Sequence, residues 1–270
     1  MPLRRIALAA ALLLGFLPAT TSPSRPVART IAAVAANQSF NWSGYMQGLL
    51  EKGTTFHSIG AEWIVPKAKQ RNPGEAESSA SWIGIGGGCV DAGCTIGDDT
   101  LIQAGIEQDV AVSGATDYFA WWEIIPLPQI RIDLRVAPGD HVRVTIVESA
   151  VTPEVWTITI ANLDTGGTFA ITVPYTSSYA TAEWVIETPL TISDEGRIIR
   201  VGPMPDLAVV HFDGATTNGQ PAALIPSEQV QLVDLDLSLI ALPSAPDRDA
   251  DGFNDCTYRK SCPVPGNELK

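Results

Sequence analysis

The chain has 270 residues, a formal net charge of −13 and a hydrophobic content of 45%. This composition fits one large globular domain, and the negative charge argues against nucleic acid or an anionic membrane as a partner, because both would repel it. The charge fits equally an enzyme that works at low pH, where carboxylates are protonated, and a surface that keeps the protein in solution.

Residues 1–22 have the pattern of a secretory signal peptide. Two arginines precede an unbroken apolar run from Ile6 to Leu17, which is followed by proline and small residues. This run is too short to span a bilayer. We therefore expect the mature protein to be secreted and extracellular, and we interpret residues 23–38, rich in Thr, Ser, Pro and Ala, as a linker or short pro-segment.

Residues 39–242 are predicted to form one β domain. Short runs of alternating apolar and polar residues recur between Gly and Pro turn signals, and the sequence shows no convincing amphipathic helix longer than two or three turns. Many short strands with tight turns are typical of an antiparallel β-sandwich. The individual strands are predicted at 56–65, 80–85, 101–107, 118–125, 182–187, 207–212 and 229–236.

Two hairpins are predicted in addition. Residues 130–136 alternate between apolar and polar and lead through a Pro-Gly-Asp turn into 142–148. Residues 155–161 lead through an Asn-, Asp- and Gly-rich turn at 162–167 into a partner strand at 168–173.

The four cysteines form two close pairs, Cys89 with Cys94 and Cys256 with Cys262. Local disulfides are the natural expectation in an exported chain, although four cysteines permit three connectivities. A zinc site is less consistent with the sequence, because no histidine lies near either pair.

Two of the predicted strands carry a polar side chain that can take part in catalysis. In a strand, alternate residues share a face, so Gln103 and Glu107 point one way, and Glu183 and Glu187 share a face of the second strand. A carboxylate can act as a general base, and a carboxamide NH2 can donate to a developing oxyanion. Together they can hydrolyse an amide without His or Cys.

Residues 243–270 read as an acidic tail. Within it, Asp247, Asp249, Asp251 and Asp255, with a glycine at the sixth position, match a loop that binds calcium through hard oxygen ligands. An EF-hand would place Glu where the chain has Tyr258. A helix-free calcium loop and a plain solvated tail both remain open.

The segments around Gln103 and Glu183 resemble the two catalytic motifs of the glutamic peptidases, or eqolisins, which are secreted acid endopeptidases with a Gln and Glu dyad. Four other stretches fall in the order found in that family. They are NWSGY at 41–45, AEWIVP at 61–66, SWIGIG at 81–86 and AWWEIIP at 120–126.

The resemblance implies a concanavalin A-like β-sandwich with the substrate lying across a concave face. It further implies that Glu183 activates water as general base and then protonates the leaving amine, while Gln103 stabilises the oxyanion. Trp82, Glu107 and Glu123 stand where the family has supporting or substrate-binding residues. Peptides would be the substrates, no cofactor would be needed for catalysis, and we expect a monomer.

Two positions depart from the fungal members. Glu107 replaces an aspartate, which is conservative, and Gly86 replaces another aspartate, which removes a carboxylate from the site. Glu62 repeats the Ala-Glu-Trp pattern of Glu183, and we interpret it as a sheet residue because its segment ends in Pro66.

Two other functions fit parts of the sequence. A concanavalin-like sandwich can bind carbohydrate or peptide without catalysis, and Trp121, Trp122 and Trp184 would suit stacking on sugars. Asp164 begins an Asp-Thr-Gly motif, but pepsin-like aspartic peptidases need two, and its neighbours indicate a hairpin turn. The joint presence of Gln103 and Glu183 favours the glutamic peptidase.

Overall fold

The structure is a computed structural model that describes residues 30–266 and Leu269. The predicted signal peptide and the first part of the predicted linker lie outside these residues. Within the described part of the chain, no helix is long and apolar enough to cross a membrane.

Almost all regular structure is β. Across residues 30–266 there is one turn of α-helix, α1 at Leu49–Lys52, and one 3-10 turn at Pro226–Glu228. The strands are β1 Ala33–Ala35, β2 Gln38–Ser39, β3 Trp42–Gly48, β4 Ser58–Ile64, β5 Glu77–Gly86, β6 Leu101–Val110, β7 Thr116–Ile124, β8 Ile130–Arg131, β9 His141–Glu148, β10 Val155–Asn162, β11 Thr168–Pro174, β12 Thr181–Glu187, β13 Leu190–Ile192, β14 Ile198–Val201, β15 Val209–Thr217, β16 Gln220–Pro221, β17 Gln229–Val233, β18 Leu239–Pro243 and β19 Phe253–Thr257.

The strands form two main layers. The first, which we call the cleft sheet, has the order β8-β7-β6-β5-β12-β3, and every neighbouring pair in it is antiparallel. The second, the back sheet, runs β11-β10-β9-β4-β15-β19-β18-β17-β2-β1. Strand β17 joins the layers, since its first residues pair with β3 and its later ones with β2 and β18. The predicted antiparallel sandwich is confirmed.

The hydrophobic core lies between the two sheets and follows from the period-two alternation of the strands. In β12, Ala182, Trp184 and Ile186 belong to this core, while the residues between them face the outer side of the cleft sheet. A smaller apolar cluster on that outer side includes Trp82 and Val185. The cleft sheet therefore has an apolar inner face and an outer face on which polar groups and aromatic rings alternate.

One predicted hairpin is wrong. Only Ile130–Arg131 of the 130–136 segment is a strand, and it pairs with β7 at the edge of the cleft sheet. The following strand, β9, lies in the back sheet between β4 and β10. The intervening residues carry the chain from one sheet to the other, and they alternate because Ile132 and Val136 insert into the core on the way.

The second predicted hairpin is present, with β10 and β11 paired along their whole length. Its turn contains Asp164, whose carboxylate accepts a hydrogen bond of 2.7 Å from the backbone N–H of His141. Gly166 has a φ of +73°, which favours glycine at that position. The Asp-Thr-Gly sequence thus forms a turn, as its neighbours indicate.

The C-terminal segment, which the sequence indicated as an acidic tail, contributes a strand to the sandwich. Strand β19 lies between β15 and β18. Phe253 is completely buried and stacks on Phe212, with ring centroids 5.0 Å apart. Both cysteine pairs form local disulfides, Cys89 with Cys94 and Cys256 with Cys262.

Replacing Phe253 by Ala should lower the free energy of unfolding by about 3–5 kcal/mol, because the change leaves a cavity in a packed core. Urea denaturation at mildly acidic pH measures the effect. Val264→Ala, at an exposed position of the same segment, is the control and should change stability little. Equal effects of the two substitutions would show that the segment is not part of the core.

Candidate active site

A single cross-strand row of the cleft sheet brings together the residues singled out in the sequence. Glu183 of β12 lies opposite Gly84 of β5, Gly84 lies opposite Gln103 of β6, and Gln103 lies opposite Glu123 of β7. Directly opposed residues of antiparallel strands point to the same face. Glu183, Gln103 and Glu123 are therefore on one face, with the side-chain-free position of Gly84 between the first two.

Gln103 is held by Glu123. The side-chain NH2 of Gln103 donates a hydrogen bond of 2.7 Å to Glu123 Oε2. Both side chains are buried, and the amide oxygen of Gln103 has no hydrogen-bond partner. Since the carboxylate can only bind the NH2 end, Glu123 fixes which end of the amide is the donor.

Gln103 opens into a cleft of about 300 Å³ on this face. The polar side chains along the cleft are mainly acids and amides, and among the residues that line it none is basic. Trp121 and two prolines form its apolar wall. Glu107, Glu123 and Glu187 supply its carboxyl groups.

Glu183 does not line this cleft. Its side chain has no exposed surface and lies against Gly88, beside its cross-strand neighbour Met46; a Cβ added to Gly88 would stand 2.5 Å from Glu183 Oε1. Neither carboxyl oxygen has a partner with hydrogen-bond geometry. Burial raises the pKa of Glu183 well above its usual range, and the nearby Thr181 hydroxyl offsets the rise only in part.

The space above Gly84, between Glu183 and Gln103, is occupied by apolar atoms. A Cβ at Gly84 would stand 2.8 Å from the Trp82 ring and 2.9 Å from the Leu101 side chain. The two strand spacings that separate Glu183 from Gln103 amount to about 10 Å at the backbone. The structure thus places the two residues on the same face and in the same row without direct contact.

Trp82 is fixed by a carboxyl group that the sequence interpretation did not select. Its indole N–H donates a hydrogen bond of 2.9 Å to Glu187 Oε2, and Asn41 reaches the other oxygen of Glu187 at 3.4 Å. Trp42 packs edge-on against the Trp82 ring, with centroids 4.9 Å apart. Glu187 was visible in the sequence as the residue four positions after Glu183, on the same face of the same strand.

Burial and crowding change the acidity of the cleft. Burial raises the pKa of Glu187 to about 8, against smaller opposing effects of the nearby Trp42 and Trp82 indole N–H groups. The pKa of Glu107 is raised well above its usual range by burial and then by the charges of Asp109 and Glu187. Ionising several carboxyl groups in one site is unfavourable because the like charges repel each other. The cleft therefore retains protons at pH values at which isolated carboxyl groups are already ionised.

Other candidates lie outside the cleft. Trp122 and Trp184 point into the core between the sheets, where they cannot stack on a ligand; of the three tryptophans named for sugar binding, only Trp121 lines the cleft. Glu62 lies in the back sheet, with its carboxylate paired to Arg143 and to His141. It is a sheet residue, as interpreted.

Gly86 occupies a position that a larger residue cannot take in this structure. Its φ is +95°, and an added Cβ would collide with the carbonyl group of Thr100. Thr100 ends a loop, residues 87–100, that is closed by the Cys89–Cys94 disulfide and that we call the disulfide loop. An aspartate at position 86 is incompatible with the loop in this place.

The predicted calcium ligands are separated by the fold. Carboxylate oxygens of Asp247 and Asp251 lie within 4.8 Å of each other and of Asp213 on β15, which was not predicted. Asp249 and Asp255 do not join this group. Asp255 is completely buried, accepts a hydrogen bond of 2.9 Å from the Ser43 hydroxyl, and has its pKa raised by burial to about 8.

Comparison with known proteins gives one family. The model described as "Peptidase A4 family" matches residues 40–238, which is more than half of the chain. No curated protein matches the sequence significantly.

Several solved structures share the fold. A scytalido-glutamic peptidase with a transition state analog inhibitor has a TM-score of 0.56 and 17% identity, covering 83% of this chain and 100% of that one. SCP-B, described as a member of the Eqolisin family and bound to a tripeptide, has a TM-score of 0.54 and 16% identity, and the match covers 83% of this chain and 100% of that one. Aspergilloglutamic peptidase from Aspergillus niger has a TM-score of 0.50 and 24% identity, and the match covers 67% of this chain and 99% of that one.

The raised pKa of Glu187 predicts how stability depends on pH. The folded state binds this proton more tightly than the unfolded chain, so the contribution is complete below about pH 4.5 and is lost as the pH rises through about 8. The melting temperature should therefore fall over that interval. Glu187→Gln, which is neutral at every pH, should remove part of the fall.

Asp133→Asn is the control, because Asp133 is exposed and the substitution also removes one carboxylate. Differential scanning calorimetry at a series of pH values measures both variants. If Glu187→Gln and Asp133→Asn follow the same pH dependence as the unchanged protein, the carboxyl group of Glu187 does not hold its proton in the folded state.

Proposed function

The chain belongs to the peptidase A4 family, and on that premise we propose that it is a secreted acid endopeptidase in which Glu183 and Gln103 form the catalytic pair. The observation that carries the proposal is the cross-strand row of Glu183, Gly84, Gln103 and Glu123. This row presents a carboxyl group and an oriented amide donor on the same face of a sheet that bears a cleft. The predictions of the family, of an antiparallel sandwich and of a peptidase are confirmed.

Hydrolysis of a peptide bond needs an activated water, stabilisation of the tetrahedral oxyanion, and a proton for the leaving amine. In our proposal, Glu183 takes a proton from water and later returns it to the amide nitrogen. The NH2 of Gln103 donates to the oxyanion. Its present acceptor, Glu123, keeps that NH2 directed along the face of the sheet.

The neighbouring side chains support these roles. Trp82 covers the space between the two residues, and Glu187 holds the Trp82 ring through the indole N–H. Glu107 lines the same cleft as Gln103, which supports a role for it in binding the peptide. We propose that the cleft receives the substrate on one side of Gln103 and that water reaches Glu183 from the other.

An acidic working range is consistent with this arrangement. Burial raises the pKa of Glu183 and so favours its protonated form, which is the form that can donate to a leaving amine. Its role as base needs the ionised form, so the cover over its carboxyl group must open enough to admit water. A solvated glutamate has a pKa of about 4.3, so the base form persists in mildly acidic solution.

We also propose that the protein is exported and that it binds a cation. The signal-peptide pattern of residues 1–22 and two local disulfides support secretion. For calcium, the convergence of Asp213, Asp247 and Asp251 supports a site that fastens the C-terminal segment to β15, since Ca²⁺ prefers carboxylate oxygens.

Glu183→Gln should abolish cleavage of an unfolded protein substrate between about pH 2 and pH 7, because the amide can neither accept nor return a proton. Gln103→Ala should lower kcat by about 10²-fold, the loss expected for one oxyanion donor. Glu62→Gln is the matched control, since it makes the same change in the other Ala-Glu-Trp segment, and it should retain activity.

Circular dichroism establishes that each variant is folded, and resistance to pepstatin separates this mechanism from that of aspartic peptidases. Full activity of Glu183→Gln would exclude the proposed pair. A folded protein that binds peptide but cleaves none at any pH would instead be a binding protein, provided that the pro-segment is absent from the preparation.

Calcium at millimolar concentration should raise the melting temperature, because a ligand that binds the folded state stabilises it. Asp251→Asn should remove this rise, whereas Asp249→Asn, two residues away and outside the cluster, should keep it. Thermal unfolding with calcium and with a chelator measures both. An unchanged melting temperature would mean that the acidic group does not bind calcium.

A further inference from the structure

The disulfide loop (residues 87–100) closes over the carboxyl group of Glu183. The backbone N–H of Gly88 donates a hydrogen bond of 3.2 Å to the Thr181 hydroxyl, and Gly88 itself lies against Glu183. Beside it, the N–H of Cys89 contacts Met46 Sδ at 3.0 Å. The contacts that hold this loop in place therefore control the access of water to Glu183.

Asp98 makes the contacts that close the loop. Its backbone N–H donates a hydrogen bond of 2.9 Å to the carbonyl of Gly88. Its carboxylate accepts hydrogen bonds of 2.9 Å from both the N–H and the hydroxyl of Thr100, and one from the hydroxyl of Ser178. Asp98 thus ties Gly88 to the end of the loop and to the segment that enters β12. Asp98 is buried, with 6% of its surface exposed.

Asp98 is also the charged neighbour of Glu183. Among the described residues, the groups that act on the Glu183 carboxyl besides its burial are the Thr181 hydroxyl, which lowers its pKa, and the negative charge of Asp98, which raises it. The other acids of this face act within the cleft, where the charge of Glu187 raises the pKa of Glu107 and the charge of Glu123 raises that of Glu187. Asp98 therefore combines contacts that hold the loop over Glu183 with a charge that favours the protonated form of Glu183.

The glycine at position 86 fits this arrangement. A side chain there would collide with the carbonyl of Thr100, the residue that Asp98 binds through two hydrogen bonds. The loop thus leaves no room for a carboxylate at position 86 of β5. It supplies the carboxylate of Asp98 instead, at the Glu183 end of the cross-strand row.

We propose that Asp98 is a positioning residue for Glu183, which fastens the disulfide loop over its carboxyl group and sets a negative charge beside it. This role rests on the proposed function of Glu183 as base and acid. Asp98 does not touch the substrate; it controls how far Glu183 is desolvated and at which pH the carboxyl group ionises.

The test compares Asp98→Asn with Asp99→Asn. Asp99 is the next residue, is exposed, and loses the same charge on substitution. The measured quantity is kcat/KM from about pH 2 to pH 7. Removing the charge and loosening the cover both favour the ionised form of Glu183, so the limb of the profile that Glu183 governs should move about one pH unit lower in Asp98→Asn. The profile of Asp99→Asn should not move.

A second measurement does not depend on catalysis. Carbodiimide and an amine nucleophile label accessible carboxyl groups, and mass spectrometry of the peptide that contains Glu183 gives the rate. Asp98→Asn should label severalfold faster at Glu183 than Asp99→Asn. Ser178→Ala, which keeps the charge of Asp98 but removes one hydrogen bond, should also label faster, with Thr176→Ala at an exposed neighbouring position as its control.

The outcomes separate the two proposals. If Glu183→Gln is inactive while Asp98→Asn and Asp99→Asn share one pH profile and one labelling rate, the role of Asp98 is overturned and the catalytic role of Glu183 stands. If Glu183→Gln is active, Glu183 is not catalytic. Faster labelling in Asp98→Asn would then still support the proposal that Asp98 holds the disulfide loop over Glu183. If Asp98→Asn does not fold, equal labelling of Ser178→Ala and Thr176→Ala overturns the inference.

Discussion

Taking a carboxylate out of water costs several kcal/mol unless another group compensates for it, and this protein buries carboxyl groups on both sides of its cleft sheet. Glu183 and Glu187 lie on the outer face, and Asp255 meets Ser43 on the core side. Their raised pKa values have one common cause, which is burial. In acid these groups are neutral and the cost disappears, so the fold is matched to a proton-rich surrounding before any catalytic step is considered.

The register of three strands turns this constraint into a site. Because β5 separates β12 from β6, the two central side chains stand two strand spacings apart, and a glycine between them leaves the space above the sheet to Trp82 and Leu101. A shift of one residue in β12 would turn Glu183 into the core and Trp184 outward. The large apolar side chain of Trp184, completely buried, therefore holds the register on which the position of Glu183 depends.

Sequence reasoning succeeded where a local pattern sets the structure. Alternation identified β5, β6 and β12 and assigned Gln103 and Glu183 to definable faces, and close spacing indicated both disulfides. It failed where the interacting residues are far apart in the sequence. The 130–136 segment alternates because it crosses the core, Asp213 joins the tail aspartates from another strand, and the cover over Glu183 depends on a glycine-rich loop without periodicity. Glu187 needed no structure to be noticed, since it shares a strand face with Glu183.

The place of β19 has a consequence for how the molecule is made. This strand comes last in the described sheet but lies between β15 and β18, so the back sheet has a gap until residues 253–257 have been synthesised. Until then the edges of β15 and β18 present unpaired backbone groups, and Phe212 lacks the stacked ring of Phe253. A ribosome-bound chain thus cannot complete the back sheet until residues 253–257 have emerged.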